Sequence, residues 1–101
     1  MALEDTAAVA SRLVKEFGFP EHGADIVAAK LGRLSPDLAT QAEAWWTRGA
    51  AISMEAHGHT VESLRRDHGL GDVAAILTLD WIMREPEKAL RQLARGHDSI
   101  R

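Results

Sequence analysis

The sequence contains no cysteine and no tyrosine. Without cysteine, the chain cannot form disulfides, bind a metal through thiolates or use a cysteine nucleophile, and this composition agrees with a reducing compartment. No apolar run approaches the ~20 residues that a membrane-spanning helix needs. The acidic first residues, Met1 to Asp5, do not resemble a secretory signal. We therefore expect a cytoplasmic protein.

An excess of positive charge is also lacking. The 12 lysines and arginines are outnumbered by 15 aspartates and glutamates, which gives a formal net charge of −3. This balance argues against a protein that overall electrostatic attraction holds to nucleic acid or to a membrane, although it leaves room for a local basic patch. With 101 residues, 46% of them hydrophobic, the chain is long enough for one helical domain, 1–101, and too short for two.

Helix signals, in contrast, are frequent along the chain. Candidate helix starts are Asp5, Ser35, Thr60, Asp72 and Pro86, and candidate helix ends are Gly18, Gly32, Gly49, Gly69 and Gly96. Between these signals, apolar residues recur at helical spacing; in the second helix, Ile26, Val27 and Leu31 are expected to face the core. The predicted fold class is all-α, a compact bundle of five or six short helices, with one very short strand near 52–55.

The two halves of the chain share the order of these signals. Gly18 is matched by Gly69 and Pro36 by Pro86, at nearly the same offset. Each half would consist of a helix, a glycine turn, a second helix, a proline start and a third helix. This order suggests a pseudo-repeat of residues 5–49 and 60–96, although helical proteins also reuse the same caps without duplication.

The fifth predicted helix differs from the others because its apolar residues surround most of its circumference. Such a helix is typical of the centre of a fold or of the seam of a dimer. The chain also has three tryptophans, which a small domain encloses with difficulty and which are enriched at the centres of interfaces. Core packing is the ordinary interpretation of these side chains. The candidate interface residues are Trp45, Trp46, Trp81, Ile82 and Met83.

Residues 60–85 combine a capped short helix, a glycine turn and a longer apolar helix. Upstream, the helix that contains Trp45 and Trp46 would come first, and the short strand near 52–55 would follow it. In this order, residues 45–85 resemble the helix-turn-helix core of bacterial winged-helix domains. The resemblance implies a helix-turn-helix-like C-terminal half and, through it, binding to DNA.

Two features of the sequence differ from that family. Pro86 opens another helix where the two strands of a wing would follow. Residues 72–83, which would read the DNA, contain no Arg, Lys, Asn or Gln to meet base edges. Any binding to nucleic acid would therefore depend on phosphate contacts.

The candidate phosphate contacts form a basic stripe that is concentrated near the end of the chain. They are Arg65, Arg66, Arg84, Lys88, Arg91 and Arg95. The same arginines have acidic neighbours one helical turn away, since Asp80 precedes Arg84 and Glu87 precedes Arg91. Ion pairs on a solvated helix face are therefore the competing interpretation.

Histidines are the remaining candidates for chemistry. His57 and His59 flank a glycine, and with His68 they could supply metal ligands, but no HExxH or Cys–His framework accompanies them. His59, Ser63 and Asp67 recur every four residues, a spacing that we interpret as coincidence because nothing predicts a buried acid behind the histidine. The sequence has no GxSxG, Walker or GxGxxG motif. We expect no metal, no cofactor and no enzymatic activity.

Two functions of different classes follow from these patterns, and a third, a small enzyme or metal site around His57, His59 and His68, is kept only because these histidines are otherwise unexplained. The leading hypothesis is a non-enzymatic protein-interaction or regulatory module that forms homodimers, or binds another protein, through apolar helical surface. The alternative is a DNA-binding transcriptional regulator of helix-turn-helix type that contacts phosphates through the basic stripe. Only the second predicts binding that weakens strongly with salt.

Overall fold

The computed structural model describes residues 2–99, with side chains up to residue 95. The elements in chain order are a 3-10 helix at Ala2–Glu4, α1 at Thr6–Phe17, α2 at Glu21–Leu31, α3 at Pro36–Arg48, β1 at Glu55–Ala56, β2 at His59–Thr60, α4 at Val61–His68, α5 at Asp72–Arg84 and α6 at Pro86–Ser99. This architecture confirms the all-α fold class, with one small strand pair added. Within the described range, no helix combines the length and the apolar composition needed to cross a bilayer.

Contacts divide the chain into two units, Met1–Ala51 and Ile52–Arg101. The first unit contains the 3-10 helix and α1 to α3, and the second contains the strand pair and α4 to α6. In each unit a helix ends at a left-handed glycine, and a later helix begins at a proline. The element order is thus the same in 5–49 and 60–96, while an origin by duplication stays a prediction.

Capping defines the first helix of the first unit. The Asp5 carboxylate accepts a hydrogen bond from the backbone N–H of Ala8 at 3.2 Å. At the other end, Gly18 has φ +74°, a left-handed conformation that costs a glycine little, and the N–H of Phe19 donates to the carbonyl of Leu13. Both ends of α1 therefore agree with the sequence-based prediction.

Helix α2 packs against α1 through small side chains. Ala24, Ala28 and Leu31 are buried, at a spacing of four and then three residues. Ile26 lies on the opposite side of the helix and is 58% exposed, so the prediction that it faces the core was wrong. The physical reason is that alanines let two helix backbones approach closely, which leaves the larger β-branched side chain outside.

A single carboxylate connects the start of the chain to α3. The backbone N–H of Ala2 donates to Glu43 Oε1 at 2.7 Å, and the N–H of Leu3 donates to Oε2 at 3.0 Å. The first N–H groups of a helical turn have no partner within the turn, and Glu43 supplies it for two of them. Leu3 itself is 2% exposed, so these hydrogen bonds and the burial of the Leu3 side chain together fix the start of the chain against α3.

The second unit begins with a tight β-hairpin. Glu55 pairs with Thr60 and Ala56 with His59 in antiparallel register, and the two residues between them, His57 and Gly58, have φ of 50° and 81°. Positive φ at both central residues is what a type I′ turn requires. The strand predicted near 52–55 therefore overlaps the observed pair only at Glu55, because the turn two residues later sets which residues pair.

Thr60 ends the hairpin and caps α4 with a reciprocal pair of hydrogen bonds. The N–H of Ser63 donates to Thr60 Oγ1 at 3.0 Å, and the N–H of Thr60 donates to Ser63 Oγ at 2.9 Å. Such a capping box fixes the direction in which the helix leaves the strand. Helix α4 then ends at Gly69, which has φ +66°.

Two boundaries of the last helices differ from the sequence-based prediction. The N-cap of α5 is Gly71, and Asp72 is the first helical residue, where its negative charge still suits the helix dipole. Helix α6 passes through Gly96 and continues to Ser99. Gly96 was predicted to end the helix, but a glycine within a helix only weakens it and does not force an end.

Candidate functional site

Helix α5 has two sides with different exposure. Val73, Ala75, Ile76, Leu79 and Ile82 are buried, each at 3% exposure or less. On the opposite side, Ala74 is exposed, and Leu77, Thr78 and Trp81 are half-buried. These four residues follow the spacing i, i+3, i+4 and i+7, so they form one continuous row along the helix. We call this row the outer stripe.

The outer stripe is apolar even where it contains a hydroxyl group. Thr78 Oγ1 donates to the backbone carbonyl of Ala74 at 2.7 Å, one helical turn earlier. Because this bond uses the hydroxyl proton, Thr78 offers no free donor to the outside, and its methyl group contributes to the apolar surface. Along residues 73–83, Ala74 is exposed and every other residue is buried or half-buried, which agrees with the expectation of a helix near the centre of the fold; the outer stripe keeps part of its surface accessible.

Ion pairs neutralise the charges at both ends of the outer stripe. At the N-terminal end, Arg65 Nε lies 3.1 Å from Asp72 Oδ1. At the C-terminal end, Arg84 Nε lies 2.9 Å from Asp80 Oδ2, and Lys88 Nζ lies 3.2 Å from Glu85 Oε2. Opposite charges are thus paired within the chain, and neither end of the stripe has a strong local excess of one sign.

The predicted interface residues of this unit lie on different sides of α5. Trp81 belongs to the outer stripe and is half-buried. Ile82 is 0% exposed, so its assignment as an interface residue is corrected to a core residue. Met83 is half-buried and lies on the core-facing side, near the end of the helix. The reason is the 100° rotation per residue, which turns three consecutive side chains in three directions.

The adjacent tryptophans of α3 are also separated by this rotation. Trp46 is 7% exposed, so the structure places it in the core and corrects its assignment as an interface residue, whereas Trp45 is half-buried. Phe17 contacts both indoles, with ring centroids 6.0 Å from Trp45 and 5.8 Å from Trp46, the second pair being stacked. The Arg12 guanidinium lies 4.3 Å from the Trp46 ring centroid. Core packing therefore accounts for Trp46, and part of Trp45 stays accessible.

Most of the candidate phosphate contacts have acidic partners. Besides the pairs at the ends of the outer stripe, Arg66 Nε lies 3.1 Å from Asp67 Oδ1. This hydrogen bond lowers the pKa of Asp67 from its usual 3.8 and raises the pKa of Arg66. Arg91 Nε donates to the backbone carbonyl of Glu87 at 3.3 Å, and Arg95 is exposed. The structure brings the six basic residues into the same unit, with four of them in ion pairs.

Two of the three singled-out histidines lie near each other. The rings of His59 and His68 have centroids 6.3 Å apart. His57 has φ 50° in the hairpin turn, so the extended H-x-H geometry that would align it with His59 does not form. Among the described side chains, no group of three or more candidate ligands comes together.

The four-residue spacing of His59, Ser63 and Asp67 has a structural explanation. His59 belongs to β2, while Ser63 lies in the first turn of α4 and Asp67 in its last turn. Ser63 Oγ donates to the carbonyl of Thr60 at 3.1 Å and accepts from its N–H, so the hydroxyl serves the helix cap. Asp67 pairs with Arg66. These contacts assign Ser63 to the helix cap and Asp67 to an ion pair.

Sequence reasoning missed three of the four residues of the outer stripe. Ala74, Leu77 and Thr78 are ordinary residues in a helix, and only their spacing relative to Trp81 distinguishes them. That signal was present, because Val73, Ile76 and Leu79 form one apolar row and the outer stripe forms a second on the opposite side. Comparisons with known proteins supply no guide to its role: no family model, curated protein or solved structure matches this chain.

Proposed function

We propose that this chain is a non-enzymatic protein-interaction module, of the kind used in regulation, that self-associates through the outer stripe of α5. The observation that supports this function most directly is the apolar row of Ala74, Leu77, Thr78 and Trp81 on the side of α5 opposite its core residues. Ala74 is exposed on this side, and the other three side chains keep part of their surface accessible. The hydrophobic effect favours covering that side with another apolar surface.

The chemistry of the stripe suits a protein partner. Tryptophan combines a large apolar area with few rotatable bonds, which is why it is enriched where interfaces are most tightly packed. The Thr78 hydroxyl is satisfied within the helix, so covering it leaves no unpaired donor. Ion pairs at both ends resemble the polar rim that surrounds the apolar centre of many interfaces.

The size of the stripe sets the expected strength of association. Helix α5 has 13 residues, and one face of such a helix offers less than the ~800 Å² per partner of a standard interface. We therefore expect a weak, concentration-dependent homodimer, with a Kd on the order of 10–100 µM.

The alternative, a DNA-binding regulator, has support from α6. Arg91 and Arg95 are exposed one turn apart on that helix, where they could contact phosphates. Helix α5, in contrast, would present Ala74, Leu77 and Trp81 to the bases, and these side chains offer no base-reading pair of hydrogen bonds. The ion pairs of the other basic residues would also have to break before they could bind phosphate.

Sedimentation equilibrium tests the proposed function directly. We expect the weight-average mass to rise from monomer toward dimer between about 5 µM and about 1 mM, with little change between low and high salt. Leu77→Asp places a charge in the centre of the stripe and should keep the chain monomeric throughout. Gln92→Asp is the matched control, because Gln92 is exposed on α6 and its substitution adds the same charge outside the stripe.

Two results would contradict the proposal. A wild-type chain that stays monomeric up to about 1 mM would rule out self-association at any useful strength. A dimer that Leu77→Asp and Gln92→Asp weaken equally would show that the stripe is not the contact. Binding to duplex DNA, measured by fluorescence anisotropy, would favour the alternative if it fell steeply with salt and if Arg91→Ala with Arg95→Ala reduced the salt slope by about 2.

A further inference from the structure

We propose that His59 and His68 together bind one divalent transition-metal ion, Ni²⁺ or Cu²⁺, between their imidazole rings. Such a site is independent of the proposed function, because both histidines lie outside the outer stripe and belong to one chain. It departs from the sequence-based expectation of no metal. That expectation rested on the lack of a known ligand motif, whereas the fold brings together two rings whose residues are nine positions apart.

The distance between the two rings suits a metal ion held by both. Their centroids are 6.3 Å apart. With metal–nitrogen bonds of about 2.0–2.1 Å, the centroids of two ligating imidazoles lie about 5 Å apart in a tetrahedral arrangement and about 6.4 Å apart when the nitrogens are on opposite sides of the metal. The observed distance falls within this range, so small rotations of the side chains bring both nitrogens to one ion.

The orientation and the surroundings of the rings also suit ligation. Their planes are inclined by 50°, so the rings are not stacked face to face and their in-plane lone pairs can converge on one point. Among the described residues, neither imidazole hydrogen-bonds to another group of the chain, which leaves the ring nitrogens available as ligands. Both side chains are half-buried, so an ion can enter from solvent and keep water molecules as its other ligands.

The backbone around the pair holds the two histidines at a defined separation. His59 precedes Thr60, whose capping box with Ser63 fixes the direction of α4 relative to β2. His68 is the last residue of α4, and the side chains of a helix tilt toward its N-terminus, which turns the His68 ring back toward the strand. Because the fold already places the rings close together, little conformational entropy is lost when both bind one ion.

Asp67 supplies negative charge beside the pair. Its pKa is lowered first by the hydrogen bond from Arg66, and His68 and His59 lower it further, so the carboxylate lies within electrostatic reach of both rings. A divalent ion between the rings is attracted by the same carboxylate. Imidazole nitrogens suit Ni²⁺ and Cu²⁺, of which Cu²⁺ binds the more tightly.

Calorimetric titration with NiCl₂ tests the site on the full chain, prepared without a histidine tag. We expect about one Ni²⁺ per chain. His59→Gln and His68→Gln should each weaken the binding of Ni²⁺ at least about tenfold, because a single imidazole loses the advantage of two ligands held together. His57→Asn is the matched control and should leave the affinity unchanged. It removes an exposed imidazole two residues from His59, and asparagine suits the positive φ of the turn.

Paramagnetic broadening in NMR identifies the ligands in the unsubstituted chain, so the result does not depend on whether the variants fold. Substoichiometric Cu²⁺ should broaden the ring resonances of His59 and His68 before those of His57 and His22, which are both exposed. Equal broadening of all four rings would show that exposed histidines collect the metal adventitiously, and it would overturn the site.

Two calorimetric results would also overturn the site. One is a loss of Ni²⁺ affinity in His57→Asn as large as that in His59→Gln. The other is the absence of saturable binding up to about 1 mM Ni²⁺. A chain that stays monomeric in sedimentation contradicts only the proposed function, because the two ligands come from the same copy.

Discussion

Replacing Arg12 by alanine is expected to lower the free energy of unfolding by about 2–4 kcal/mol. Arg12 Nη1 donates to the backbone carbonyl of Trp46 at 2.6 Å, and this carbonyl lies in the last turn of α3, where carbonyls have no partner within the helix. A hydrogen bond from a charged donor contributes about 1.5–3 kcal/mol. Stacking of the guanidinium on the Trp46 ring, at 4.3 Å, adds about 0.5–1 kcal/mol.

The ion pair of the same arginine is expected to contribute little. Arg12 Nε lies 2.7 Å from Glu16 Oε2, but the side chains are 37% and 58% exposed, and such pairs contribute about 0.3–0.5 kcal/mol. Glu16→Ala is therefore the matched control for Arg12→Ala. Both are measured by urea unfolding, followed by tryptophan emission in a Trp81→Phe background so that only the first unit reports. If Arg12→Ala costs no more than Glu16→Ala, the carbonyl bond and the ring contact do not stabilise the fold.

Three further predictions concern single contacts. Glu43→Ala should cost about 1–2 kcal/mol in urea unfolding, because two backbone donors lose their acceptor; a cost below Glu16→Ala would contradict it. Gly69→Ala should lower the free energy of unfolding by about 1 kcal/mol, because the position has room for a methyl group but a positive φ that alanine disfavours. Gly71→Ser should raise it by about 0.5 kcal/mol, because serine adds a capping side chain in open space at the N-cap of α5. Equal effects of the two substitutions would refute this contrast. In an NMR titration, the pKa of Asp67 should lie below 3.8 and return toward it in Arg66→Ala. Because that folded-state pKa is depressed, the Asp67 contribution to stability is present above pH 3.8 and lost as the pH falls through the lower value.

Local signals predicted the helix boundaries best. Gly18 and Gly69 end helices in the left-handed conformation, and Thr60 caps α4, as the sequence indicates. These features depend on a few neighbouring residues and on steric limits that hold in any fold. Ser35 shows the limit of such rules: it occupies the N-cap position of α3, yet its side chain makes no capping hydrogen bond to the helix.

Burial was predicted less well, because it depends on which elements meet. Trp45 and Trp46 are the same residue type at adjacent positions, but only Trp46 stacks on Phe17 and is buried. Ile26 was expected inside and lies outside, since two alanines on the other side of α2 suit a close helix contact better. An apolar row on a helix predicts a packing surface. Where a helix has two such rows, the sequence does not say which of them will be buried.

The contact between the two α3 indoles has a spectroscopic consequence. Their ring centroids are 5.9 Å apart and their planes are inclined by 54°, an arrangement in which the electronic transitions of two identical chromophores couple and give paired circular dichroism bands of opposite sign. The chain has no tyrosine, so no phenol band overlaps this signal. Loss of the couplet on heating would report directly on the separation of Trp45 from Trp46. The first unit thus contains its own optical probe of side-chain packing.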